Sequence, residues 1–264
     1  MKALPSVEGL WQKHGGKGLH IFLVESQGGT LEDITKYAKD KKLSFPIAIR
    51  NECDFNGYKG GNGLPYAFVV GPDGKVAWQG RDGYAAVIEK ELARIKYPGL
   101  GKLDVAPELV KAATQFGTGN YAAAREDAMK VKEKEAENEA AVADADFIIK
   151  RVEARVSNLR AKIDDAKSKR RYHEAVAMLE ELSGKAYKGM EESDKAAEEL
   201  KELKKDKDVK AELKAWADLA KVLEANEKAK SDVDRKKNLI KFVEKNEGMA
   251  AAEEAKALAD GISG

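Results

Sequence analysis

The chain has 264 residues, 43% of them hydrophobic, and its 47 Lys and Arg nearly cancel 46 Asp and Glu to leave a formal net charge of +1. That balance gives no electrostatic case for nucleic acid or an anionic membrane as partner. One cysteine, Cys53, and three scattered histidines, His14, His20 and His173, exclude an internal disulfide and a cysteine-based zinc site.

The two halves differ in kind. Residues 1–101 hold 16 of the 23 glycines and five of the six prolines, and charged residues rise from 25 of the first 96 positions to 68 of the last 168. A long Ala, Glu, Lys and Leu-rich tract with balanced charge is the composition of surface-exposed helices. No apolar run reaches the length of about 18 residues that a membrane-spanning helix needs, and the N-terminus shows no apolar signal-peptide core.

In chain order, Pro5 at a first helical position and the stripe Leu4, Val7, Leu10 and Trp11 predict an amphipathic helix ended by Gly15-Gly16. Leu19–Val24 is an apolar run of strand length, expected to be covered on both faces. Thr30 with Asp33 forms a capping box for a helix reaching about Lys42 through Leu31, Ile34, Tyr37 and Ala38. A short strand follows over 45–49, and strand, helix and strand together predict a parallel unit.

The glycine-rich Gly57–Gly63 stretch lacks the Gly-Lys-Ser/Thr ending of a phosphate loop. Tyr66–Val70 and Val76–Gln79 flank Gly71-Pro72-Asp73-Gly74, a hairpin signal, and residues 83–96 form a closing helix with Tyr84, Ile88, Leu92 and Ile95 inward. Residues 98–106 read as a linker between a first domain, 1–97, and a helical domain, 107–264.

Beyond 107 every segment has helical periodicity, broken near 117–120, 184–189, 204–208 and 246–248, with one longer helix over about 139–170. Aromatic residues next to small ones recur at Phe116 and Tyr121–Ala128, at Tyr172–Leu179, and at Phe242 before Ala250–Ala252. The pattern predicts stacked helical hairpins, similar to degenerate tetratricopeptide repeats, and fixes no repeat period.

Gly63-Leu64-Pro65 leading into Tyr66-Ala-Phe-Val-Val-Gly-Pro-Asp-Gly-Lys-Val76, in the element order of residues 1–96, resembles the C-terminal two thirds of TlpA/ResA-like thioredoxin-family proteins. The resemblance implies an N-terminally truncated α/β thioredoxin-like fold followed by an all-α, TPR-like region. It implies a cis Pro65 that, with Leu64, positions a thiol or disulfide protein substrate, and a parent protein that exchanges disulfides outside the cytoplasm. Met1 aligns just past the place of the family's Trp-Cys-x-x-Cys motif, so the chain is expected to be a fragment or an internal start, and redox-silent. The family's central strand would be missing as well.

Glu25, at the end of its strand, is a candidate accessory residue that either tunes a neighbouring thiol or merely neighbours a helix cap. Cys53 between Glu52 and Asp54 reads as inert, since acidic neighbours raise a thiol pKa. No cofactor is expected, and no loop of the peroxiredoxin kind is present. The rival reading is a non-catalytic interaction or scaffold protein whose helices bind another protein.

Overall fold

The computed structural model describes residues 4–25, 28–49, 66–229 and 231–262. The chain divides into two compact units, one of Met1–Thr118 with Val131–Asp144 and one of Gly119–Lys130 with Ala145–Gly264.

In the first unit, helix α1 (Leu4–His14) runs into a 3-10 turn at Gly15–Lys17. Strand β1 (Leu23–Glu25), helix α2 (Leu31–Asp40) and strand β2 (Ile47–Ile49) follow, and β1 pairs with β2 in parallel with Leu23 opposite Ile47. The expected capping box forms: the Thr30 hydroxyl accepts from the Asp33 N–H at 3.2 Å and the Asp33 carboxylate accepts from the Thr30 N–H at 3.1 Å. Bonding to the Thr30 hydroxyl also holds the Asp33 carboxyl below its usual pKa. Strands β3 (Ala67–Val70) and β4 (Val76–Gly80) form the antiparallel hairpin, and its turn places Gly74 at φ 76°, which only glycine takes up at little cost.

Helix α3 (Tyr84–Ala93) buries Ile88, and its Glu89 pairs with Lys13 of α1 at 2.7 Å. Segment 97–106 is anchored by Tyr97 and the wholly buried Leu100. Asp144 accepts from the Ala106 N–H at 2.6 Å and pairs with Lys102. Past a 3-10 turn at Pro107–Leu109, helix α4 (Val110–Gly117) buries Ala112, Ala113 and Phe116. Gly117 is required there, because an added Cβ would stand 2.9 Å from the Pro98 ring.

The fold class read from the sequence is corrected here. The chain is 67% helix and 6% strand, with eleven α-helices and only two small sheets among the described residues, and is not an α/β thioredoxin fold with a helical tail. The strand-forming segments are real, but β1–β2 and β3–β4 form two separate two-stranded sheets that share no ladder. Nor is the first strand covered on both faces: Phe22 is 70% exposed and Val24 53%. An apolar run of this length reports strand tendency, while burial depends on neighbours that these short ribbons do not supply.

The second unit takes in residues 121–130 of helix α5 (Tyr121–Lys134) and 145–168 of helix α6 (Glu139–Ser168), then helices α7 (Tyr172–Leu182), α8 (Glu191–Leu203), α9 (Lys207–Glu227), α10 (Asp232–Lys245) and α11 (Ala250–Asp260). Helix α7 packs on α8 and α9, and α9, α10 and α11 pack on one another. Ile148, Val152 and Ile163 of α6 are wholly buried, on the stripe that makes a 30-residue helix stable by packing rather than by propensity.

Ala215, Leu219, Leu239, Phe242, Ala251, Ala255 and Ala259 form a buried cluster. Alanine at every fourth position of α11 presents a smooth face on which Leu and Phe of α9 and α10 fill the space. Asp206 caps α9 by accepting from the Asp208 and Val209 N–H groups at 2.8 and 3.0 Å, and Ser231 caps α10 by accepting from Asp234 at 3.1 Å. The content is helical-repeat-like, as the aromatic and small-residue rhythm suggested.

Candidate functional site

Of the residues singled out for thiol chemistry, Cys53, Leu64 and Pro65 lie outside the described residues. Glu25 ends β1, where its carboxylate accepts from the Gly29 N–H at 3.1 Å ahead of α2. Its carboxylate is therefore engaged with the backbone before a helix start. Among the described residues no group of His, Cys, Asp and Glu is placed to hold a metal, and no helix is long and apolar enough to cross a membrane.

The chemistry of the second unit lies in polar contacts between helices. Glu212 of α9, 3% exposed, accepts from the Ala250 N–H at the start of α11 at 3.1 Å and pairs with Arg170, which also donates to the Gly248 carbonyl at 2.7 Å. Arg155 of α6 donates to the buried Tyr187 hydroxyl at 2.8 Å and stacks over the Tyr121 ring at 4.5 Å. Burial raises the Glu199 pKa, but Lys167 and Arg160 outweigh that and hold the carboxyl below its usual range. These groups fasten helices to one another, and none is arranged as a nucleophile with its base.

His173 lies against Trp216, ring centroids 4.4 Å apart, and its Nδ1 has no hydrogen-bond partner. Burial lowers its pKa from 6.5, outweighing the nearby Glu174 carboxylate, which raises it; Arg171 lowers it further. The unfolded chain therefore binds the proton more readily, so stability falls as pH drops through 6.5 toward the lowered folded value. Thermal melts at about pH 7.5 and pH 5.5, one unit either side of the ordinary histidine value, are expected to show a lower Tm at the acid pH, and His173→Phe to flatten that difference. An unchanged difference in the variant would place the effect elsewhere.

The surface of α10 is of another kind. One groove along it is lined by Asp232, Val233, Lys236, Lys237, Ile240, Lys241, Glu244 and Ile262, of which Val233 is 68% and Ile240 44% exposed. A second groove, between α9 and α10, is lined by Asp218, Lys221, Val222, Ala225, Lys241, Phe242 and Lys245, among others. Leu239 and Phe242 turn α10's other side into the core. Amphipathic periodicity requires one buried face, and Val233 and Ile240, two turns apart on the far side, are left exposed by it.

Sequence reading treated lysine and glutamate runs as solvated faces and did not single out α10. The signal was present in Lys237, Lys241 and Lys245, each four residues from the next and without an acid four residues before it. Comparison with protein-family models, with curated proteins and with solved structures found no match.

Proposed function

We propose that the chain is a non-catalytic protein-interaction module, with the helices of the second unit offering the binding surface. The observation that carries this reading is the pair of grooves beside α10, the first of which exposes Val233 and Ile240 on an otherwise charged helix surface. A single cysteine supports it from the chemical side, since the dithiol mechanism, in which one chain both attacks and resolves, needs two sulfurs.

Two measurements on the full chain test the reading together. In a dithiothreitol-driven insulin reduction assay the chain is expected to give no acceleration over buffer. In cross-linking mass spectrometry of the native source, links to other proteins are expected from lysines of the helical unit such as Lys221, Lys237 and Lys241, and not predominantly from Lys13, Lys17 or Lys36. Turnover of insulin, or intermolecular links confined to the first unit, would overturn it.

A further inference from the structure

We propose that the lysine row Lys237, Lys241 and Lys245 on α10, with the apolar floors on its two sides, is the docking site for an acidic amphipathic helix of a partner protein; this rests on the reading of the chain as an interaction module.

The row divides the two grooves. Lys237 lines the first, Lys245 the second, and Lys241 both. All three are exposed, and none has an ion-pair partner among the described residues. Elsewhere the helices pair their surface lysines one turn away: Lys130 with Glu126, Lys169 with Asp165, Lys195 with Glu191. Within the row on α10 the neighbours four residues apart are like charges, an arrangement that costs an isolated helix about 0.2–0.5 kcal/mol per pair, while of the acids at three-residue spacing Asp234 is bonded to Ser231 and Glu244 follows Lys241.

The acids nearby are already engaged or stand at the margin. Asp218 pairs with Lys221 at 2.9 Å and Asp232 with Arg235 at 2.8 Å. Lys236 donates to the Ile262 carbonyl at 3.1 Å, which leaves Glu244 as the free acid in the first groove. The uncompensated charge is positive, in a chain that is close to neutral as a whole.

The apolar part selects a helix. Val233 and Ile240 lie two helical turns apart in a concave groove, so a ridge of side chains at one-turn spacing from another helix fits between them, as ridges fit grooves in helix packing. An anionic lipid surface would meet Asp232 and Glu244 beside Val233 and Ile240, like charge against like, whereas a partner helix can place its own side chains clear of them. Carboxylates on the flank of that helix nearer the row would meet Lys237 and Lys241. Such exposed pairs contribute selectivity and association rate more than affinity, while the apolar floor contributes the affinity.

The probe is a fluorescein-labelled helical peptide of about 20 residues, long enough for five turns, carrying leucines at one-turn spacing and glutamates on both flanks. Its twin has lysines in place of the glutamates. Fluorescence anisotropy with the full chain is expected to show binding of the acidic peptide, weakened by added salt, and little binding of the basic one. The variant Lys237→Glu/Lys241→Glu/Lys245→Glu is expected to lose about tenfold or more in affinity for the acidic peptide and to gain the basic one. Val233→Ser/Ile240→Ser is expected to weaken the acidic peptide without restoring the basic one. All five positions are exposed, so an unchanged melting temperature certifies the fold of both variants.

Absence of peptide binding, equal binding by the charge-reversed chain, or preferential binding to phosphatidylserine vesicles would overturn the proposal. So would self-association in sedimentation velocity that the same charge reversal abolishes. If the proposal fails while cross-links still fall on the helical unit, only the partner's chemistry is wrong; if the cross-links fail as well, the interaction reading falls with it.

Discussion

Glu212→Ala is expected to cost the helical unit about 2–3 kcal/mol, chiefly from a buried hydrogen bond left unmade. The cause is local. The Ala250 N–H at the head of α11 loses its acceptor, and Glu212 is 3% exposed, so water does not readily replace that contact; Arg170, with a side chain 43% exposed, keeps water and the Gly248 carbonyl and adds little. For a region of this size the loss corresponds to a fall of about 6–10 °C in Tm. Glu212→Gln keeps an acceptor oxygen for Ala250 and is expected to cost less. Differential scanning calorimetry of both variants checks the pair, and a fall of less than about 3 °C for the alanine variant would show that Glu212 does not fasten α9 to α11.

Phe242→Ala is expected to cost more, about 3–5 kcal/mol, because it removes a buried ring from a closely packed cluster. Phe242 is 5% exposed and lies with Leu219, Leu239, Ala251, Ala255 and Ala259. The alanines of α11 have no side-chain length with which to fill the void, so relaxation into it is limited. Phe242→Leu retains most of the volume and is expected to cost about 1–1.5 kcal/mol. Urea titrations measure both. Glu212 and Phe242 each hold α11, one by its N-terminus and one by its face, so the double variant Glu212→Ala/Phe242→Ala is expected to lose less than the sum of the single losses. Full additivity would mean that α11 docks through two independent contacts.

Local features of the fold were legible in the sequence where the determinants are themselves local. The Thr30–Asp33 cap, the Gly71–Gly74 turn, the long α6 and the breaks at 184–189 and 246–248 depend on side chains within one turn of the backbone they act on. The breaks at 135–138 and 228–229 escaped because they hold no glycine or proline, and polar residues there look like helix surface. The α/β fold class failed for a different reason. Strand-forming segments show a tendency, but whether two ribbons join into one sheet depends on a ladder between distant segments, and no such ladder links β1–β2 to β3–β4.

The candidate site was less legible still. Glu25 satisfied the rule that strand ends carry site residues, yet its carboxylate serves the Gly29 backbone. The α10 surface was hidden because lysine is ordinary on a charged helix. Its meaning comes from what the fold leaves around it: Asp218 and Asp232 are paired elsewhere, and Val233 and Ile240 face outward once Leu239 and Phe242 have turned inward. Burial assigns those roles, and periodicity alone does not say which of two apolar stripes is the core.

The central claim, that the α10 surface of the helical unit is where this protein meets its partner, is tested most directly by mapping amide chemical-shift changes in the isotope-labelled full chain as the acidic helical peptide is added. The account predicts perturbations concentrated on residues 232–245, on Val222 and Ala225 across the second groove, and on Ile262. Perturbations confined to β1–β4 and α1–α3, or none at saturating peptide, would contradict it.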